Sequence, residues 1–266
     1  MASGKLPPVF ALIGLRRGSP TAAVALVAPI VVGFGLLLGT PARAAGGPLE
    51  GRTVVLDPGH NGANARAPSV INRPVDIGQR KTKACNTTGT STRDGYTEAA
   101  YNWDVALRAR RLLRQSGATV LLTRKDNRSV GPCVSVRARI ANRARADATV
   151  SIHADGASPA GFGFHVIEPA LINGLTDDIF ERSHRLAVAV RSGFRAATGT
   201  PYANYIGRRG IDRRGDLGGL RLADVPAIFI ETGNMRNARE AQRMVRGSYR
   251  QRVARGIADG IDRFLD

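Results

Sequence analysis

Two hydrophobic periods alternate along the chain. Apolar runs of strand length fall at residues 53–56, 118–123, 148–152, 163–168 and 227–230. Between them apolar residues recur about once per helical turn, which predicts helices over 97–116, 134–146 and 177–198, and one or two more after residue 238. The helix over 97–116 has the clearest limits. Thr97 suits an N-cap, Tyr101, Val105, Ala109 and Leu112 form a stripe, and Gly117 follows as a stop. Residues 207–219, rich in Gly and Arg, predict no regular element. Strand–helix–strand alternation predicts an α/β fold, with helices on both faces of a mainly parallel sheet. Ligand sites in such sheets lie outside the carboxyl ends of the strands.

Two stretches depart from this alternation. Arg16 and Arg17 precede an apolar, small-residue run over about 21–39, and Ala42, Arg43 and Ala44 place small residues around a cleavage point. Residues 1–45 therefore read as a signal peptide. An uncleaved anchor is the alternative, because the run approaches spanning length; Pro29 and several glycines interrupt it. Either way the chain is exported, to the periplasm, the cell wall or the medium, and residues 46–266 form a single catalytic domain. The second departure is the 37-residue stretch 61–97, polar and without a sustained apolar period. A loop that long in a compact domain is a tethered surface insertion or a lid or wall of a groove.

Cysteine usage fits export. Cys85 and Cys133 are the only two, both in segments rich in Gly, Thr, Ser or Pro. In an oxidising compartment such a pair forms one disulfide. Neither has a CxxC partner or a nearby His, so metal ligation by them is unsupported. The formal charge of +18 suits polyanions in principle. It is carried almost wholly by Arg, with four lysines in the chain, a bias that reflects base composition more readily than a binding site. An aromatic content of 5% leaves little for base stacking, so nucleic acid is not expected as a partner.

The candidate chemistry lies in four polar residues that end or closely follow apolar runs. His60 follows Val54-Val55-Leu56-Asp57-Pro58-Gly59, and His153 follows Val150-Ser151-Ile152. Glu231 follows Ala227-Ile228-Phe229-Ile230, and Glu98 opens the helix on the stripe of Tyr101 and Val105. Any one of these alone is more often structural than functional. Together, two imidazoles and one carboxylate make a catalytic zinc set with an open position, and the second carboxylate, Glu231, suits a general base. His165 and His184 read as structural or surface residues. No G-x-S-x-G elbow surrounds Ser151 or Ser183, so a serine nucleophile is unsupported.

These residues carry a family likeness. The chain resembles the zinc-dependent N-acetylmuramoyl-L-alanine amidases of the amidase-3 type. The likeness rests on Val55-Leu56-Asp57-Pro58-Gly59-His60, Glu98 with Asn102, Leu122-Thr123-Arg124 with Asp126, Arg137 with Ala141-Asn142, Ser151-Ile152-His153-Ala154, and Pro226 to Gly233 with Asn237. It implies a three-layer α/β/α fold, one Zn2+ per chain held by His60, Glu98 and His153, and Glu231 as the catalytic glutamate. It also implies hydrolysis of the amide joining N-acetylmuramic acid to L-alanine in peptidoglycan or its muropeptide fragments. The chain departs from the family pattern at Asn61 and Asp155, and in the length of 61–97. No wall-binding repeats are visible, and a monomer is the simplest assembly. Two other readings stand beside the amidase: a zinc peptidase of related fold cutting a stem-peptide or protein bond, and a catalytically dead wall-binding module.

Overall fold

Six of the strands form one twisted sheet because their apolar residues can be buried on both faces. The computed structural model describes residues 47–266; the segment read as a signal peptide, 1–45, lies outside them. In chain order the first elements are β1 (Thr53–Pro58), a single 3-10 turn (Asn64–Arg66), α1 (Pro68–Ile71), β2 (Pro74–Asp76), β3 (Thr82–Ala84) and α2 (Glu98–Gln115). Then come β4 (Thr119–Leu122), α3 (Val134–Arg143), β5 (Ala148–Asp155), β6 (His165–Pro169) and α4 (Phe180–Thr198). The chain closes with β7 (Ile211–Arg214), α5 (Gly218–Arg221), β8 (Ala227–Asn234), α6 (Ala238–Met244) and α7 (Gly247–Leu265).

The sheet order is β4-β1-β5-β8-β6-β7, and β2 with β3 makes a separate hairpin. Every neighbouring pair in the sheet is parallel except β6 with β8. The mainly parallel α/β/α sandwich is therefore as expected, with β6 and β7 reversed. Val54, Leu56, Val150, Ile152, Ile228 and Ile230 pack on one face with α2, α4 and α7. The other face carries α3 and α5, over Val55, Ile167 and Ala227. Among the described residues no helix is long and apolar enough to cross a membrane.

Helix α2 follows its stripe, with Thr97 accepting a hydrogen bond from the Ala100 amide at 3.3 Å. The stripe ends on buried Leu113 rather than Leu112, one further step of four residues after Ala109. Two findings differ more from the sequence reading. Residues 207–219 contain β7 and the start of α5, and β8 runs four residues beyond its apolar run, through Glu231 to Asn234.

Helices α4 and α7 approach until their backbones touch. A Cβ on Gly260 would lie 2.4 Å from the Val190 Cα, and one on Gly193 would lie 2.6 Å from the Gly256 carbonyl oxygen. Alanine normally gains ~1 kcal/mol over glycine inside a helix. Overpacking costs ~1–3 kcal/mol, and here only backbone could yield. Gly260→Ala is therefore expected to lower the melting temperature by roughly 2–8 °C; a rise in a thermal melt would contradict backbone contact between these helices.

Candidate metal centre

The carboxyl edge of the sheet is built by register. β5 and β8 pair His153 with Glu231, and β8 and β6 pair Glu231 with His165. Paired residues share a face, so His153, Glu231 and His165 form one row across three strands. The next row inward is Asp57, Ser151, Phe229 and Ile167. The His153 ring stacks on Phe229 with centroids 5.1 Å apart and 15° between planes. Cap geometry aims the first turn of α2 at this edge, which brings in Glu98.

His60, Glu98 and His153 converge, with one ligand atom from each lying within 4.8 Å of the others. Glu98 Oε2 is 3.1 Å from His60 Nε2, and Glu98 Oε1 is 3.0 Å from His153 Nδ1. His60 Nδ1 lies 3.1 Å from the Thr87 carbonyl, a partner that leaves Nε2 free to ligate. Both oxygens of Glu98 are further held, by the amides of Thr90 at 3.0 Å and Ala154 at 3.2 Å and by Asn102 Nδ2 at 3.3 Å. Burial alone would raise the Glu98 carboxyl, but His60 and His153 outweigh it and hold it well below the ordinary range. The same pairing raises His60 against the opposing effect of its burial.

Glu231 has the opposite surroundings. Its Oε2 is buried with no hydrogen-bond partner. Burial, reinforced by Glu98 and Asp155 and opposed by Arg214, pushes its carboxyl well above the ordinary range. The four residues line one cavity of about 430 Å³. Its walls include Lys83, Asn86, Thr87 and Thr90 from the 61–97 stretch, and Arg214, Leu217 and Phe229 opposite. The long stretch is thus a wall of the groove. It is fixed by a Cys85–Cys133 disulfide, by Arg221 Nε donating to the Ile77 carbonyl at 2.9 Å, and by a Lys83–Asp216 ion pair at 3.0 Å.

The turn that carries His60 is strained and held by two arginines. His60 has φ 59°, a left-handed conformation costing ~1–2 kcal/mol in a non-glycine residue. A Cβ on Gly59 would lie 2.2 Å from the His153 ring, so only glycine fits there. Arg137 donates to the carbonyls of His60 and Pro58, both at 2.8 Å. Arg124 donates to the Pro58 carbonyl at 2.9 Å and to the Ala99 carbonyl at 2.8 Å. Arg137 is itself fixed by Asp57 at 2.6 Å, and Asp57 also accepts from Ser151 at 2.6 Å and from Thr123. Asp57, Arg124 and Arg137 belong to the motifs that carry the family likeness, and nothing in their sequence pattern alone shows this task. His165, expected to be structural or on the surface, is buried in the row of Glu231. His184 does serve structure, pairing with buried Glu168 at 2.7 Å.

Fold and site together define a three-layer α/β/α protein with a two-histidine, one-carboxylate group at the carboxyl edge of its sheet. A family model described as N-acetylmuramoyl-L-alanine amidase matches residues 54–263, and the chain belongs to that family. It is 39% identical, over 241 residues, to an N-acetylmuramoyl-L-alanine amidase of Mycobacterium tuberculosis, covering 89% of this chain and 97% of that one. The crystal structure of the amidase Ami1 from Mycobacterium smegmatis superposes with a TM-score of 0.76 at 41% identity, over 82% of this chain and 98% of that one. The apo form of Ami1 from Mycobacterium abscessus gives 0.77 at 42% identity, over 82% and 100%.

Burial works to raise the Asp57 carboxyl, but Arg137, Ser151 and Thr123 prevail and lower it from 3.8 to about 2. A carboxyl lowered on folding stabilises the protein above its unfolded pKa, and that contribution fades as pH falls through the folded one. The difference corresponds to ~2 kcal/mol, fully present above about pH 5 and lost by about pH 2. Arg137→Met is expected to cost ~3–5 kcal/mol at neutral pH by stranding Asp57. It should also flatten the acid-side slope in urea unfolding of chelator-treated protein. An unchanged slope would detach that slope from the Asp57–Arg137 pair.

Proposed function

We propose that the chain is an exported, zinc-dependent peptidoglycan amidase that cleaves the bond between N-acetylmuramic acid and the L-alanine of the stem peptide. One observation carries the proposal: the convergence of His60, Glu98 and His153 beside an unpartnered Glu231 carboxylate, within a chain of this family. Two neutral imidazoles and one ionised carboxylate are a donor set that fits zinc, and Thr87 supplies the outer partner that metal-bound imidazoles usually have. Zinc held there would lower the pKa of a bound water to about 7 and polarise the substrate carbonyl.

The protein's own groups do the rest. Glu231 takes the proton of the attacking water and returns it to the departing alanine nitrogen. The phenyl ring of Phe229 and the wall from Lys83 to Thr90 line the cavity in which the reacting carbonyl would sit. Arg137 and Arg124 fix the carbonyls beside His60, so that this ligand does not drift. Residues 46–266 act as one catalytic domain and as a monomer, on peptidoglycan or muropeptides in the wall.

Digestion of purified peptidoglycan, read by mass spectrometry, tests the bond. Free stem peptides beginning with L-alanine are expected; shortened stems still joined to muramic acid would instead identify the zinc peptidase. Chelation should abolish hydrolysis and added zinc restore it. Glu231→Gln should retain zinc and lose at least ~100-fold in kcat, whereas a fully active Glu231→Gln protein would remove this residue from the mechanism. For export, amino-terminal sequencing of protein recovered outside the cytoplasm should begin near residue 45. A retained Met1 would make the leading segment an anchor.

A further inference from the structure

A second groove lies at the edge of the sheet where β4 has a neighbour on one side only. It holds about 600 Å³ and is lined by Trp103 and Leu107 of α2, Leu122 at the end of β4, and Val130 and Pro132. Leu107 and Arg110 also line a further groove that continues along α2 to its last turn. Together the two follow α2 from Trp103 to Arg114, about 16 Å of helix. A surface of that length suits a polymer better than a small molecule.

The charge on it has one sign. Arg110, Arg111, Arg114, Arg124 and Lys125 line the two grooves, and no Asp or Glu does. Arg110 and Arg111 make no ion pair among the described residues. The adjacent acids are engaged elsewhere. Asp126 accepts from the amides of Arg128 and Ser129, both at 2.8 Å, and Asp104 accepts from Arg108 and Arg250.

Trp103 is the only tryptophan of the chain and is partly exposed. The Arg124 guanidinium lies 4.8 Å from its ring centroid, and Arg124 is itself fixed by the Pro58 and Ala99 carbonyls. The indole is thus held in place by a cation–π contact. Its N–H is not buried and donates to no protein group among the described residues. An aromatic body with one free donor is what recurs at surfaces that take a partner.

A sugar polymer that bears carboxylates matches this surface. The C–H face of a pyranose ring is apolar and can lie flat on an indole, and its hydroxyl and acetamido oxygens accept hydrogen bonds. An uncharged glycan would leave the arginines unused. The reaction proposed above makes a charged one: hydrolysis of the amide to L-alanine leaves the lactyl group of muramic acid on the glycan as a free carboxylate. We propose that the groove along α2 binds this peptide-free glycan strand, with sugar rings against Trp103 and lactyl carboxylates on Arg110 and Arg111. Leu122 is level with Leu56 of β1, so the groove opens at the same edge of the sheet as the catalytic cavity. A strand held there stays beside the cavity after each cut. The proposal rests on the reading of the chain as an amidase of the muramic acid–L-alanine bond.

With a single tryptophan, fluorescence reports on the groove in the native protein. Titration of zinc-loaded protein with glycan strands stripped of their stem peptides is expected to shift the emission to a saturating limit. Such strands offer no amide to cut, so binding is read apart from hydrolysis. Arg110→Glu should weaken this binding ~3–10-fold with an unchanged thermal melt. Oligomers of N-acetylglucosamine, which present the same ring face without carboxylates, should also bind more weakly than the stripped strands. No emission change with the stripped strands, or a shift that Arg110→Glu leaves at full affinity, would overturn the proposal. Tighter binding of poly-glutamate than of the glycan would also overturn it, by giving the groove to an acidic protein partner. Failure of the amidase reading would show separately, as shortened stems still joined to muramic acid in the digestion described above.

Discussion

The ion pair between Asp57 and Arg137 is the contact on which the candidate metal centre depends. It lies in the layer directly beneath the proposed ligands. Arg137 Nη1 bridges Asp57 and the Pro58 carbonyl, and Nη2 holds the carbonyl of His60. A buried pair of this sort adds only a modest net stability, because desolvation consumes much of the attraction. What it supplies is direction. The left-handed backbone at His60 is unfavourable by itself, and it persists because the arginine grips the carbonyl on either side of Gly59. Gly59 completes the arrangement by letting the His153 ring close against the turn. Three features of one short segment, an acid, a glycine and a strained histidine, are therefore a single mechanical unit.

Much of this was legible in the sequence because the physics is local there. Alternating periods gave the α/β class, and the helix over 97–116 was readable from its cap, stripe and terminal glycine. The four candidate residues stood out because a strand end is a poor place for an imidazole or a carboxylate without a reason. Where reading failed, the deciding partner was remote. β8 continues past Ile230 through polar Glu231, Thr232 and Asn234 because its backbone pairs with His153 and Asp155 on β5, and a ladder does not need apolar side chains. β7 was hidden for a similar reason: Ile211-Asp212-Arg213-Arg214 is an edge strand with one paired side, so its sequence stays polar.

The reversal of β6 was also invisible, and it matters most for the site. A parallel β6 would place its start, and His165, at the opposite edge of the sheet. The antiparallel pairing with β8 brings His165 level with Glu231. The 61–97 stretch had two open readings, surface insertion or groove wall. Three remote anchors decide between them: Cys133, Arg221 and Asp216, all supplied from beyond residue 97. No local pattern within 61–97 could announce those partners.

The two glutamates show how one side-chain type can be given two tasks by its surroundings. Glu98 receives two backbone amides, one side-chain amide and two imidazoles. Every one of these favours the ionised form, which is what a ligand to a cation requires. Glu231, two strands from β1 on the same edge, receives none and is crowded by the negative charges of Glu98 and Asp155. A carboxyl so placed binds a proton readily, which is what a base that must hold one during catalysis requires. Exchanging the two residues in sequence would change nothing chemically, since both are Glu; exchanging their hydrogen-bond partners would exchange their roles. The difference between proposed ligand and proposed base is written in the α2 cap, the Thr90 amide and the strand register, and only the last of these has any trace in hydrophobic pattern.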